Sequence, residues 1–279
     1  MREPSIRTSR IAIAAGLAAV LAVGGGGFFL GRASAPRVEQ ALPEPTPQAP
    51  TVTRTEPAKP LGRADLIGLA QQASDAQASG TPLPPTVTGA AGSRFDVVLP
   101  FGCAGPSEDG STPSMRWRYD AATEALRISV TPVLWKAQDW GFEEGKGPRA
   151  EGFWIARPWT SSERCPPSPV PAGPSGIEPV TLPGQTLAIT QFSDDAKAGL
   201  SRDGKPFNIV KRVRSDDFDG SQGFRLRIKG RVDRDYGPVR CIQPAGVEQR
   251  PICAVSARID EIRIENPATD EVLASWPIR

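Results

Sequence analysis

Residues 223–232 read GFRLRIKGRV, and this stretch decides the fold class. Its apolar side chains alternate with basic ones and are Phe224, Leu226, Ile228 and Val232. Successive side chains of a β-strand point to opposite faces of the sheet, so a period of two predicts a strand with one buried face. The sequence therefore predicts a β-sheet built around this stretch.

The other face of the predicted strand carries an unbroken basic stripe, formed by Arg225, Arg227, Lys229 and Arg231. A stripe of this kind suits an anionic partner, either a lipid, a phosphorylated glycan or an acidic envelope protein. The alternative is a solvent-facing side whose charges pair with acidic residues of a neighbouring strand. The candidates for such pairing are Asp260, Glu261 and Glu265.

Similar short apolar runs, separated by Gly- and Pro-rich turns, occur throughout residues 94–279. The predicted strands are Phe95–Phe101, Met115–Tyr119, Ala125–Val133, Phe153–Ala156, Thr186–Phe192, Phe207–Val213, Gly223–Val232, Ile252–Ile264 and Glu271–Trp276. A change of phase between Ile259 and Ile262 predicts a β-bulge in the longest of them. The fold class is therefore all-β, and we expect a sandwich or a barrel-like domain over residues 94–279.

A segment near the N-terminus has the length of a membrane span. Ile11–Leu30 contains twenty uncharged residues, which at about 1.5 Å per residue match a hydrocarbon core of about 30 Å. The basic residues ahead of it favour a cytoplasmic N-terminus and export of everything that follows. These residues are Arg2, Arg7 and Arg10. The sequence thus predicts a cytoplasmic tail over residues 1–10 and a transmembrane signal anchor over residues 11–31, in the inner membrane of a bacterial envelope.

The alternative for this segment is a cleaved signal peptide that ends at Ala35 and releases the chain into the periplasm. Ala33, Ser34 and Ala35 have the small-x-small form of a cleavage site. Pro36 then occupies the position after the cut, where its ring and missing N–H suit a peptidase poorly. The apolar run is also longer than the hydrophobic region of most signal peptides. Both features favour the anchor.

The segment between the span and the β domain divides into a linker and a helix. Residues 36–62 form a Pro-rich linker, with seven prolines between Pro36 and Pro60, and such composition favours an extended spacer. Residues 63–80 form a short helix, because apolar residues recur at helical spacing from Arg63 to Ser79 and Gly80 can end it. The linker therefore holds the domain away from the membrane.

The chain contains four cysteines, an even number, and they are Cys103, Cys165, Cys241 and Cys253. In an exported domain this predicts two disulfides. Three pairings are open on paper. The sequence favours Cys241 with Cys253, because that bond closes a short hairpin-like loop, and it thereby leaves Cys103 with Cys165.

Four tryptophans fall within 25 residues, and they are Trp135, Trp140, Trp154 and Trp159. If exposed together they form an aromatic patch on which sugars can stack, and if buried they belong to the core. The acidic residues among them are Asp139, Glu143, Glu144 and Glu151. A carboxylate pair beside tryptophans is also what a glycan hydrolase requires. The cluster therefore leaves open a hydrolase, a carbohydrate-binding module and a simple core.

The sequence contains no histidine. This excludes Ser-His-Asp and Cys-His catalysis and every site that needs an imidazole as a base or a metal ligand. We therefore expect neither a cofactor nor a metal ion. We also expect a protein without catalytic activity rather than an enzyme. The expected function is a membrane-anchored periplasmic binding or scaffolding protein. A nucleic-acid partner is not expected for an exported domain.

Overall fold

The computed structural model describes residues 58–107, 113–166, 186–195, 199–200, 207–244 and 246–278. The predicted span Ile11–Leu30 and the linker up to residue 57 lie outside these residues. Within the described ranges, no helix combines the length and apolar character that crossing a bilayer requires.

The described residues form two α-helices and eleven β-strands. The helices are α1 (Arg63–Ser79) and α2 (Pro85–Thr88). The strands are β1 (Arg94–Phe101), β2 (Met115–Asp120), β3 (Ala125–Val130), β4 (Val133–Trp135), β5 (Arg149–Trp154), β6 (Leu187–Ser193), β7 (Phe207–Arg212), β8 (Phe224–Val232), β9 (Val239–Ile242), β10 (Ile252–Asn266) and β11 (Glu271–Pro277). The prediction of a mostly β domain is confirmed.

Strand β10 organises the larger of two sheets. The strand order is β1-β8-β10-β6-β5-β4, and β9 and β11 also pair with β10. The first half of β10 pairs with β9 and, in parallel, with β6, whereas its second half pairs with β8 and β11. The register shifts between Ile259 and Glu261, where these halves meet. The predicted bulge is therefore present, and it lies where the neighbours of the strand change.

The smaller sheet has the order β2-β3-β7 and shares a hydrophobic core with the larger one. Trp117 of β2, Ile128 of β3 and Phe207 of β7 belong to the same buried cluster as Phe224 and Ile262 of the larger sheet. The alternation that predicted β8 explains this packing, since its apolar side chains all face the cluster. The two sheets are thus arranged in a sandwich-like manner.

Helix α1 has the predicted bounds and covers one end of the core. Leu66 and Ala73 are fully buried, and the helix packs against β9 and β10. Gly80 ends it in the left-handed conformation, with φ of 63°, which a glycine adopts without strain. Leu61 forms a parallel bridge with Phe95 of β1, so the chain joins the large sheet before the helix begins.

Several strand predictions were wrong in detail. The predicted strand Phe153–Ala156 is displaced, since β5 extends from Arg149 to Trp154. The predicted strand Ala125–Val133 ends at Val130, and Val133 begins β4, which belongs to the other sheet. Pro132 lies between them and has no N–H to donate to a sheet, which accounts for the break. Strand β9 was not predicted, because four residues are too few to display an alternation.

The favoured disulfide pairing is confirmed. Cys241 and Cys253 lie directly opposite each other on β9 and β10 and are bonded. Cys103 follows β1 and is bonded to Cys165, 62 residues further along the chain. The first bond therefore joins two neighbouring strands, and the second attaches the segment after β5 to the end of β1.

Candidate functional site

The basic stripe lies on the outer face of the large sheet. Phe224, Leu226 and Ile228 are fully buried on the inner face of β8, so the intervening basic side chains point away from the core. Strands β1 and β10 flank β8 and contribute further charges to the same face. The stripe predicted from one strand is thus the centre of a wider charged surface.

We define the basic face as the charged outer side chains of β1, β8 and β10. Its basic members are Arg94, Arg225, Arg227, Lys229, Arg231, Arg258 and Arg263, and its acidic members are Asp96, Glu261 and Glu265. The register places all ten on one side of the sheet. The surface therefore carries seven basic against three acidic side chains, a formal charge of +4.

The middle of the basic face is neutralised by ion pairs between strands. Arg227 lies between two carboxylates, with Nη1 2.9 Å from Asp96 Oδ1 and Nε 2.7 Å from Glu265 Oε1. Burial disfavours its charged form, but the hydrogen bonds to Glu265 and Asp96 outweigh burial and raise the pKa of Arg227. Lys229 Nζ lies 3.8 Å from Asp96 Oδ2 and 4.0 Å from Glu261 Oε2. For these two residues the structure favours the pairing interpretation.

The other two predicted partners of the stripe, Glu261 and Asp260, lie in different surroundings. Glu261 forms an ion pair with Arg263, with Nε 2.8 Å from Oε1, and the interaction with Arg263 lowers the pKa of Glu261 although burial opposes it. Asp260 was also expected among the ion pairs of the stripe. It lies instead at the bulge of β10 and faces a cleft on the other edge of the strand.

One end of the basic face has a different arrangement, which we call the arginine row. Arg94, Arg231 and Arg258 lie in one register line across β1, β8 and β10, and all three are exposed. Like charges directly opposite each other destabilise a sheet. The guanidinium groups of Arg94 and Arg231 have no hydrogen bond or ion pair to any residue in the described ranges. Arg231 is therefore the exposed member of the predicted stripe that remains open to an anion, and Arg94 lies beside it; Arg225 also has no partner among the described residues, but it is only partly exposed.

Arg258 is the member of the row with counter-charges. Its Nε lies 3.5 Å from Asp233 Oδ2, and its Nη2 bonds to Asp235. The charges of Asp233 and Asp235 raise the pKa of Arg258. Both carboxylates lie in the loop after β8, on the side of the row away from Arg94.

The chain enters the domain beside the arginine row. The N–H of Leu61 donates to the carbonyl oxygen of Arg94 at 2.8 Å, and the N–H of Asp96 donates to the carbonyl oxygen of Leu61 at 2.9 Å. These bonds attach the segment ahead of α1 to the edge of β1. The end of the predicted linker is thereby fixed next to the row.

The four tryptophans do not form one patch. Trp135 makes edge-to-face contacts with Trp140 and Trp154, at centroid distances of 5.5 and 5.2 Å. Trp140 is 1% exposed and belongs to a second core cluster. Trp159 is 48% exposed and lies apart from the others, at a cavity of about 60 Å³ that it shares with Ile67 of α1. The core interpretation therefore applies to Trp140.

The carboxylates among the tryptophans have separate local roles. Asp139 Oδ2 accepts a hydrogen bond from the N–H of Lys136 at 2.9 Å, and Glu143 Oε2 lies 2.9 Å from Lys146 Nζ. Glu151 is 3% exposed and forms an ion pair with Arg149. In the described part of the chain, no group of three or more Cys, Asp or Glu side chains is arranged to hold a metal ion.

Sequence reasoning missed a cleft of about 480 Å³ on the opposite edge of β10. It opens where the ends of β6 and β11 leave β10, and Asp194, Asp235 and Tyr236 contribute to its lining. Burial, together with a hydrogen bond to Asp194 and nearby carboxylates, raises the pKa of Tyr236 to about 12. Its residues come from four distant segments of the sequence, so no local sequence pattern predicts the cleft.

The arginine row was missed for a related reason. Arg231 was part of the predicted stripe, but Arg94 and Arg258 join it only through the pairing of three strands. The register between these strands aligns the three arginines, and the sequence alone does not reveal that register. No family model matches this chain, and neither a curated protein nor a solved structure matches it.

Proposed function

We propose that this protein is a membrane-anchored binding or scaffolding protein of a bacterial envelope, and that its basic face docks an anionic partner. In this proposal Ile11–Leu30 remains in the inner membrane as a signal anchor with the N-terminus in the cytoplasm. The Pro-rich linker carries the disulfide-bonded β domain into the periplasm. The domain contributes binding and not catalysis.

The observation that carries this proposal is the imbalance of charge on the basic face. Seven basic and three acidic side chains share one face, and the balance stays positive when Asp233 and Asp235, the partners of Arg258, are counted as well. A concentrated field of one sign attracts partners of the other sign and orients them on approach. Arg94 and Arg231 give such a partner guanidinium groups that no described residue occupies.

The disulfides support the extracytoplasmic location. All four cysteines are paired, and none is free. Disulfides persist in oxidising compartments such as the periplasm and are rare in the bacterial cytoplasm. The pairing therefore agrees with the export that the basic N-terminal residues predict.

Photocrosslinking in intact cells tests this function. A photoreactive amino acid replaces Ser275, an exposed residue of β11 that lies opposite Arg263 at the edge of the basic face. We expect it to capture a discrete anionic partner. The Arg94→Glu/Arg231→Glu variant should lose this product, because it inverts the charge of the open part of the face.

The matched control is Arg127→Glu/Arg250→Glu, which makes the same change in net charge at two exposed arginines away from the basic face. It should retain the crosslinked product. Equal capture by both variants would contradict a role of the basic face in binding.

The two alternatives have less support. A glycan hydrolase built on the tryptophan cluster needs two of its carboxylates paired, but Asp139 caps a turn and Glu151 is buried against Arg149. A carbohydrate-binding module needs exposed rings, and Trp140 is buried. Trp154, which is half-buried, is therefore the better residue for a glycan-binding test.

A further inference from the structure

We propose that the arginine row binds the phosphate head groups of the membrane in which the chain is anchored, so that the β domain lies on the membrane surface. This inference rests on the proposed function, because it requires the anchor to be retained. It specifies the anionic partner as anionic phospholipid. The relevant surface is the end of the basic face near Arg94.

The chemistry of the row suits phosphate. A guanidinium group offers a planar fork of N–H donors that matches the oxygens of a phosphate. Adjacent strands lie about 4.8 Å apart, so the three arginines extend over about 10 Å of surface. Arg94 and Arg231 have no competing described acceptor, and Arg258 at the far end of the row is already bound to Asp233 and Asp235.

A fourth arginine adds to the positive charge at this end. Arg234 follows β8, is exposed, and lies with its guanidinium over Gly92, two residues before β1. Gly92 has φ of 81° and no side chain, and a Cβ atom there would collide with the guanidinium. Four arginines therefore meet two carboxylates, Asp233 and Asp235, around the row.

The entry point of the chain favours the membrane as the partner. Residues 31–60 connect the predicted span to Leu61, which is hydrogen-bonded to Arg94 at the edge of the row. The tether therefore attaches at the surface that carries the open arginines. Tethering makes the docking step intramolecular, so a weak electrostatic attraction of about 1 kcal/mol per arginine suffices.

The composition of the face favours head groups over a protein partner. Protein interfaces depend on buried aromatic and apolar side chains for most of their affinity. The large exposed hydrophobic residues of the described part are Leu83, Leu134, Trp159, Val210, Val247 and Val272, and none belongs to β1, β8 or β10. A surface with open arginines and no exposed apolar anchor fits a layer of phosphates better than it fits a folded protein.

Energy transfer from the inserted full-length chain to the bilayer tests the proposal. The chain is reconstituted into vesicles of phosphatidylcholine alone or of phosphatidylcholine with phosphatidylglycerol, with an acceptor dye on the head groups. A donor amino acid is placed at Ser275, beside the basic face, or at Val210, on the outer face of the small sheet. We expect phosphatidylglycerol to increase transfer from Ser275 more than from Val210, and added salt to reverse the increase.

The variant Arg94→Gln/Arg231→Gln should lower the equilibrium constant for docking about thirtyfold, which is the effect of removing two surface arginines. The control Arg127→Gln/Arg250→Gln should leave it unchanged. A response to phosphatidylglycerol that survives the first variant would overturn the assignment to the arginine row.

The remaining outcomes separate the inference from the proposed function. Alkaline extraction first establishes whether the chain is inserted. Inserted chain with equal transfer in both kinds of vesicle would overturn docking on lipid but leave an anchored binding protein. Chain that alkali removes from the vesicles would overturn the anchor, and with it the docking. A crosslinked envelope protein that only the Arg94→Gln/Arg231→Gln variant loses, with no effect of lipid, would assign the row to that protein.

Discussion

At the scale of single residues, Arg63 shows how a charged side chain can belong to the core. It is 1% exposed, and it donates to the carbonyl oxygens of Ala156, Arg157 and Thr160 at distances of 2.5, 3.1 and 3.0 Å. Burial lowers the pKa of Arg63, and the neighbouring charge of Arg157 lowers it further. The side chain thereby attaches the segment after β5 to the first turn of α1.

We predict that Arg63→Met lowers the free energy of unfolding by about 3 kcal/mol. The apolar side chain fills part of the space but leaves buried carbonyl groups without donors, each at a cost of about 1–3 kcal/mol. Urea denaturation followed by fluorescence measures the change. Arg127→Met, at an exposed arginine of β3, should alter stability by less than about 0.5 kcal/mol. Equal effects of the two substitutions would contradict the structural role of Arg63.

The sequence predicts the helix that contains Arg63 but not the role of the side chain. An arginine at the first position of a helix is normally exposed. Its burial here depends on the residues after β5, which are more than 90 residues away. The basic stripe was accessible to prediction because it is local to one strand. The arginine row was not, because it requires the relative positions of three strands.

At the scale of the elements, the bulge of β10 determines where two strands approach closely. Gly230 of β8 lies opposite Ile259, immediately before the register shift. A Cβ atom at this position would overlap the carbonyl oxygen of Arg258 and come within 2.9 Å of the ring of Phe95. Glycine within a strand commonly marks such an approach. The phase break in the sequence predicted the bulge, whereas the need for Gly230 opposite it follows only from the pairing.

We predict that Gly230→Ala lowers the free energy of unfolding by about 2 kcal/mol, since the added methyl group forces the β8 and β10 backbones apart. Gly68→Ala is the matched control. Gly68 lies in α1 with no atom within 4 Å of the added Cβ, so alanine should stabilise the helix by about 0.5–1 kcal/mol. Thermal unfolding measured by circular dichroism compares the two. A neutral Gly230→Ala variant would contradict the close approach.

Sheet pairing shows why strands were easier to predict than topology. Alternation along one segment identifies a strand, and this identified most of those present. The parallel pairing of β6 with β10 joins segments about 65 residues apart, and no local pattern records it. The cleft beside Tyr236 depends on this pairing and was therefore not predictable from sequence.

At the scale of the whole molecule, charge is distributed unevenly although its sum is small. The basic face carries +4, while the complete chain carries +2. Acidic side chains also lie away from this face, for example Asp194 and Asp260 at the cleft across β10. Net charge alone therefore gave no indication of an anionic partner, and the polarity of the molecule emerges only when the strands are assembled.

A final prediction concerns the compartment of the domain and tests the predicted span and the disulfides together. A C-terminal reporter that is active only outside the cytoplasm should be active in cells that produce the full-length chain. Thiol labelling of denatured protein should modify none of the four cysteines before reduction and all of them afterwards, because each lies in one of the two disulfides. The chain-entropy model attributes about 3 kcal/mol to the bond Cys241–Cys253 and about 4 kcal/mol to Cys103–Cys165. Reduction should therefore also lower the midpoint of unfolding. Four thiols that react without reductant would contradict both the oxidising compartment and the anchor orientation on which the docking proposal depends.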